Sequence, residues 1–98
     1  MTTLRVEHSV TDFDLWKGWF DRFSEFRRQS GVLRCHVQRA VGDPQYVVFD
    51  LDFETLGEAV RFLVLLETKV WSSSEHAPAL VGTPQAKLLD LVEERQAA

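Results

Sequence analysis

The amino-acid sequence predicts an α+β domain with the element order strand, helix, strand, strand, helix, strand. Three observations carry that expectation. Leu4 to Val10 and Gln45 to Phe53 alternate apolar and polar side chains with period two. Phe13 to about Gln29 and Leu56 to about Trp71 repeat apolar residues at helical spacing. Each helical stretch also follows capping chemistry, Thr11 with Asp14 in the first case and Thr55 with Glu58 in the second.

The first strand turns Leu4, Val6, His8 and Val10 one way and Arg5, Glu7 and Ser9 the other. In the first helix Thr11 is the expected N-cap, Val10 and Leu15 are spaced as a hydrophobic staple, and Gly31 is placed as a left-handed cap. This helix holds six of the eleven aromatic residues, Phe13, Trp16, Trp19, Phe20, Phe23 and Phe26, more than one docking face needs. The surplus points to a ligand cavity, a partner subunit or a C-terminal segment. A second strand is expected over about Val32 to Val41 and a third over about Gln45 to Phe53, joined by Gly42-Asp43-Pro44. With a three-residue turn, paired positions set Arg34 opposite Asp52 and His36 opposite Asp50, where the carboxylate would favour the charged form of His36. The second helix has a stripe of Leu56, Ala59, Val60, Leu63, Leu66 and Val70, widened by Phe62 and Leu65. Ser72 to Pro84 has no clear period and reads as a long loop, which is often functional. A last strand covers about Gln85 to Val92, and Glu93 to Ala98 is a polar tail.

Bulk properties narrow the function. Residues 1–98 are the length of one domain, and an apolar content of 45% is ordinary for a globular chain. The net charge of −4, with no basic cluster beyond Arg27-Arg28, argues against nucleic acid and anionic membranes as partners. Cys35 is the only cysteine, so no internal disulfide forms; a buried inert thiol on the helix-facing side of the second strand is expected. With no signal-like start and no apolar run beyond Phe62 to Leu66, a cytoplasmic location is expected.

Two strand–helix–strand units joined by a hairpin make the ferredoxin-like βαββαβ arrangement, a four-stranded antiparallel sheet with both helices on one face. The other face carries Arg5, Glu7, Arg34, His36, Gln38, Tyr46, Val48, Asp50 and Asp52. It is either a solvated sheet face or the surface of a homodimer. A metal at Asp50-x-Asp52 is not expected, since no His or Glu cluster matches it.

The strand–helix order from Leu4 to Val92, the helix Phe13-Asp14-Leu15-Trp16-Lys17-Gly18-Trp19-Phe20-Asp21 and the segment Asp43-Pro44-Gln45-Tyr46-Val47-Val48-Phe49 carry a resemblance. The helix Leu56-Gly57-Glu58-Ala59-Val60-Arg61-Phe62 adds to it. On these the chain resembles the dimeric α+β barrel superfamily, which includes the antibiotic-biosynthesis monooxygenase-like proteins. The resemblance implies two sheets pairing into one barrel through Arg34, His36, Tyr46, Val48, Asp50 and Asp52, with a pocket between sheet and helices in each subunit. It leaves the activity open among cofactor-free oxygenation, haem breakdown, polyketide cyclisation, lactone isomerisation and none.

His8, among apolar neighbours where such a pocket would lie, is the first catalytic candidate, as general base or hydrogen-bond donor. His76, in the long loop, is a weaker one. In the haem-degrading relatives a histidine near that place binds iron, assisted by a tryptophan and an asparagine. Here the corresponding residues look like Phe62 and His8, so haem is not expected and no cofactor is inferred. Cyclase-type chemistry would draw on His8, His76 and Tyr46, but alternation turns Tyr46 to the other face. Trp16, Phe20, Phe49, Phe62 and Trp71 are the expected ligand walls. Each of these residues also has a plainer reading: His8 as a hydrogen-bonded core histidine, His76 as an exposed loop residue, the aromatics as packing. The leading expectation is a homodimeric small-molecule-binding protein, a cofactor-independent monooxygenase or cyclase-like enzyme acting on a flat aromatic or polyketide-like compound. The alternative is a non-catalytic dimeric interaction module with a filled core. A cavity of a few hundred Å³ separates the two.

Overall fold

The computed structural model describes residues 1–73 and 79–97. Its elements are β1 (Thr2–Val10), α1 (Phe13–Arg22), α2 (Ser24–Gln29), β2 (Arg34–Ala40), β3 (Asp43–Phe53), α3 (Leu56–Leu65), a π-helical turn (Leu66–Val70) and β4 (Leu80–Asp90). The strands form one antiparallel sheet in the order β2-β3-β1-β4, the ferredoxin-like arrangement. None of the described helices is long and apolar enough to cross a membrane.

The alternation of β1 and β3 decides which face is covered. Leu4, Val6, Val47, Leu51 and Phe53 are wholly buried beneath the helices, and His8 and Phe49 nearly so. From α1, Trp16 lies over His8 and Phe49; from α3, Phe62 lies over Phe53. Both helical segments therefore cover the same side. The opposite face is a polar lattice in which Arg5 holds both oxygens of Asp50 at 2.8 and 2.9 Å, Arg34 reaches Asp52 at 3.3 Å, and Tyr46 donates to Glu7 at 2.9 Å.

The expected β2–β3 register holds, with Arg34 opposite Asp52 and His36 opposite Asp50, but the turn differs. Ala40 pairs with Asp43, so the chain reverses over Val41-Gly42, with Gly42 at φ 88°, and the extra residues bulge out of β3. Pro44 falls in that bulge, where its missing N–H removes no ladder bond. Asp50, expected beside His36, is engaged by Arg5 of β1 instead, and His36 makes no ion pair among the described residues.

Three further expectations need correction. The N-cap of α1 is Asp12, whose carboxylate accepts from Leu15 N–H at 3.1 Å, and not Thr11. The long aromatic helix is broken at Phe23: the Phe20 carbonyl accepts from Phe23 N–H and from the Arg27 guanidinium, an intrusion that interrupts the helical ladder. Finally β4 starts at Leu80, earlier than expected, because Thr11 N–H donates to Ala79 and β1 extends its pairing to Val10. Gly31 does close α2, at φ 100°, and a Cβ there would collide with Glu58 at the start of α3. Thr55 caps α3 as the sequence indicates, accepting from Glu58 N–H at 3.2 Å.

Phe53, buried at the end of β3 and 5.7 Å from the Phe62 ring, ties sheet to α3. Phe53→Ala should lower the unfolding free energy by about 3–5 kcal/mol, read as a drop in the urea midpoint at unchanged slope.

Candidate functional site

Between the covered face of the sheet and the helices lies a cavity of about 350 Å³. The sheet contributes His8, Phe49 and Leu51 to its wall, α1 contributes Trp16 and Phe20, and α3 contributes Phe62. The rings contact one another rather than filling the space between them. Trp16 stacks on Phe20 at 4.9 Å between centroids, Phe20 meets Phe49 edge-on at 5.1 Å, and His8 meets Trp16 edge-on at 5.5 Å. Such a continuous aromatic wall suits a flat apolar molecule.

Trp71 reaches the same cavity by a different device. Past Leu65 the α3 ladder widens to a π-helical turn closed by Trp71 N–H donating to Leu66 at 2.8 Å. One residue more than an α-turn is accommodated there, so Val70 and Trp71 are presented to the cavity alongside Leu65 and Leu66.

His8 sits at an irregularity of the sheet. Glu7 pairs with Gln85 and Ser9 with Val81, so Gly82, Thr83 and Pro84 bulge out opposite His8. Gly82 takes φ 70° to allow this, and bulges of this kind re-aim nearby side chains. His8 Nδ1 lies 3.2 Å from the Ser9 carbonyl oxygen. A carbonyl can only accept, so Nδ1 carries the proton and Nε2 keeps its lone pair. Burial holds the His8 pKa below its ordinary value of 6.5, since the imidazolium would be poorly solvated, and the Ser9 bond opposes this only in part. His8 at neutral pH is thus a neutral imidazole with an acceptor nitrogen on the border of an apolar cavity.

The sequence reading missed Arg27. It is the one buried residue of α2, only 8% exposed, and it borders the cavity. Its Nη1 donates to the Phe20 carbonyl at 2.7 Å and the guanidinium lies 3.7 Å from the centre of the Phe20 ring. No carboxylate pairs with it among the described residues, and burial lowers its pKa. A signal was available: Trp16, Phe20, Phe23 and Arg27 fall at successive intervals of four, three and four residues, so Arg27 continues the apolar stripe.

The structure brings His8, Trp16, Phe20, Phe49, Phe62 and Trp71 onto one cavity. His76 lies outside the described residues. Tyr46 is on the opposite face, bound to Glu7, and Asp50 and Asp52 are engaged by Arg5, Arg34 and Thr3. Among the described residues no three His, Cys, Asp or Glu side chains gather as a metal site. Cys35 is on the helix-facing side, opposite Leu51, but exposed, because β2 is an edge strand that the helices do not fully cover. Enough protein shields the thiol to raise its pKa, with Arg27 and Lys17 opposing that rise, and the expectation of a buried thiol is corrected to an exposed one.

No family model and no curated protein matches this chain in sequence. Solved structures do match in shape. A proposed antibiotic biosynthesis monooxygenase from Deinococcus radiodurans superposes with a TM-score of 0.75 at 15% identity, over 100% of this chain and 99% of that one. A mutant of SnoaB, a cofactor-independent oxygenase from Streptomyces nogalater, gives 0.73 at 14% identity, over 95% and 94%. A dimeric ferredoxin-like protein from an uncultured marine organism gives 0.66 at 12% identity, over 96% of each chain. This chain has their fold. That is the expected ferredoxin-like fold, and at such identities the likeness is one of architecture alone.

The depressed His8 pKa has a thermodynamic consequence. Well above pH 6.5 the residue is neutral folded and unfolded, and its titration contributes nothing. As pH falls below 6.5 the unfolded chain takes up a proton that the native state resists, so stability should fall. Urea midpoints at pH 7.5 and 5.5 should show this decline in the wild type and a smaller one in His8→Gln.

Proposed function

We propose that this protein is a homodimer whose subunits each bind a flat aromatic or polyketide-like small molecule, and that it acts on that molecule as a cofactor-independent monooxygenase or cyclase-like enzyme. The observation that carries this reading is the 350 Å³ aromatic cavity bordered by a neutral His8. A module with a filled core would have that space occupied by Trp16, Trp19 and Phe62, whose rings line it instead. SnoaB, which shares the fold, is a cofactor-independent oxygenase and supports the class of chemistry.

In this reading a phenolic or enolic hydroxyl of the ligand donates to His8 Nε2, and the proton passes to that nitrogen. The resulting electron-rich anion forms a C–O bond to dioxygen, and the peroxide takes the proton back from His8. Cleavage of its O–O bond with loss of water leaves one oxygen atom as a carbonyl. Alternatively the anion adds to a carbonyl of its own chain, and His8 returns the proton to the new alkoxide. Trp16, Phe20, Phe49, Phe62 and Trp71 hold the ring system in place and keep water from the anion. Burial keeps His8 in the acceptor form that the step requires.

The dimer would form through the sheet face bearing Arg34, His36, Tyr46, Val48, Asp50 and Asp52. Dimeric ferredoxin-like proteins share the fold, and Val81 and Leu89, paired with Ser9 and Thr3, leave apolar surface exposed on that face of β4. A single cysteine fits the cytoplasm as its compartment.

Light scattering at micromolar concentration should give twice the 11.3 kDa chain mass; a monomer would remove the dimer. Tryptophan fluorescence, titrated with flat phenols, quinols, polyketide-like aromatics and haemin, should show saturable quenching by one of the aromatic classes. His8→Ala should weaken that binding about tenfold, the loss of one hydrogen bond to a buried partner, and abolish turnover with the dimer intact. Absence of any saturable response would favour the interaction module, and dissociation of the His8→Ala dimer would make His8 structural.

A further inference from the structure

Helix α2 turns a cation inward where its pattern calls for an apolar side chain. Arg27 follows Trp16, Phe20 and Phe23 on the helix-facing stripe, is more buried than Phe23 or Phe26, and borders the cavity. A leucine there would pack without removing a charge from water, so an enclosed guanidinium without a carboxylate is a local disadvantage. Two contacts offset it in part: the Phe20 carbonyl near the C-terminal end of α1, and the face of the Phe20 ring. Both leave most of the guanidinium's five N–H donors unused. Asp21 contributes only a distant field, and Asp50 and Asp52 are held on the other side of the sheet.

We propose that the cavity's ligand is an aromatic carboxylate, and that Arg27 is its anchoring partner. The inference rests on reading the cavity as a small-molecule site, and adds the charge of the ligand and its direction. A carboxylate matches the planar fork of a guanidinium with two parallel hydrogen bonds and neutralises the buried charge. Along the wall, Arg27 covers Phe20, Phe20 meets Phe49, and Phe49 meets His8 at 6.1 Å. A flat molecule that lies along the Phe20 edge and Phe49 with its acid at Arg27 turns its opposite edge toward His8. Among the described residues Lys69 is the one other cationic side chain on the cavity wall, but it is exposed on the π-helical turn and loses little by staying in water.

Calorimetric titration of the full-length protein with 2-naphthoate and with its neutral amide, 2-naphthamide, at pH 7.5 and low salt tests this. The acid should bind at least tenfold more tightly than the amide in the wild type and in Lys69→Gln. Arg27→Lys should keep part of the preference and Arg27→Gln should lose it, while both variants retain amide binding. Equal binding of the two probes to the wild type would overturn the assignment while leaving the cavity as a binding site. So would an acid preference that survives Arg27→Gln or disappears in Lys69→Gln. If Arg27→Gln fails to fold by circular dichroism, the wild-type comparison and Lys69→Gln decide alone. If neither probe binds, the cavity reading and the assignment both fail.

Discussion

The antiparallel pairing of β1 with β3 sets Leu4 opposite Leu51, Val6 opposite Phe49 and His8 opposite Val47, and one register thereby decides which side of the sheet is dry. A slip of β1 by one residue would send Arg5 and Glu7 under the helices and Leu4 and Val6 into water. The polar lattice on the far side works against that slip as well, because Arg5 reaches both oxygens of Asp50 only in this alignment. The core and the lattice are thus two consequences of a single alternation, and the helices merely accept the surface it offers.

The cavity follows from how that surface is shared. Trp16 and Phe20 of α1 rest on His8 and Phe49, while Phe62 of α3 rests on Phe53 further along β3. Large rings set apart at these two supports hold the helices away from the sheet between them. A chain with smaller residues at Trp16 or Phe62 would let the helices settle and close the space. The aromatic surplus of the first helix is accordingly architectural before it is chemical: it props the space open and then lines it.

Most of the frame was legible in the sequence because period two and period 3.6 are local signals. The strand faces, the Thr55 cap, the Gly31 stop and the Arg34–Asp52 pairing all follow from residues close in the chain or from one hairpin count. What escaped depends on contacts distant in sequence or between side chain and backbone. The break at Phe23 comes from Arg27 reaching back to a carbonyl seven residues earlier. Arg5 displaced His36 as the partner of Asp50 because β1 lies on the other flank of β3, which a hairpin count cannot see. Cys35 was assigned the correct face but the wrong exposure, since edge position is a property of the whole sheet. Arg27 was read as half of a basic pair rather than as the next member of an apolar stripe.

The π-helical turn of residues Leu66–Val70 bears on how such a cavity changes over evolutionary time. Each residue of a helix turns the chain by about 100°. Deleting one residue from this turn would restore a regular α-ladder and swing Trp71 by about that angle, taking a whole indole off the cavity wall in one step. A point substitution can trim a ring, but a length change here relocates one without disturbing the sheet or its register. The shape of the cavity is therefore adjustable by insertion and deletion in a turn that lies outside the sheet, which offers related chains a route to differently shaped cavities on an unaltered frame.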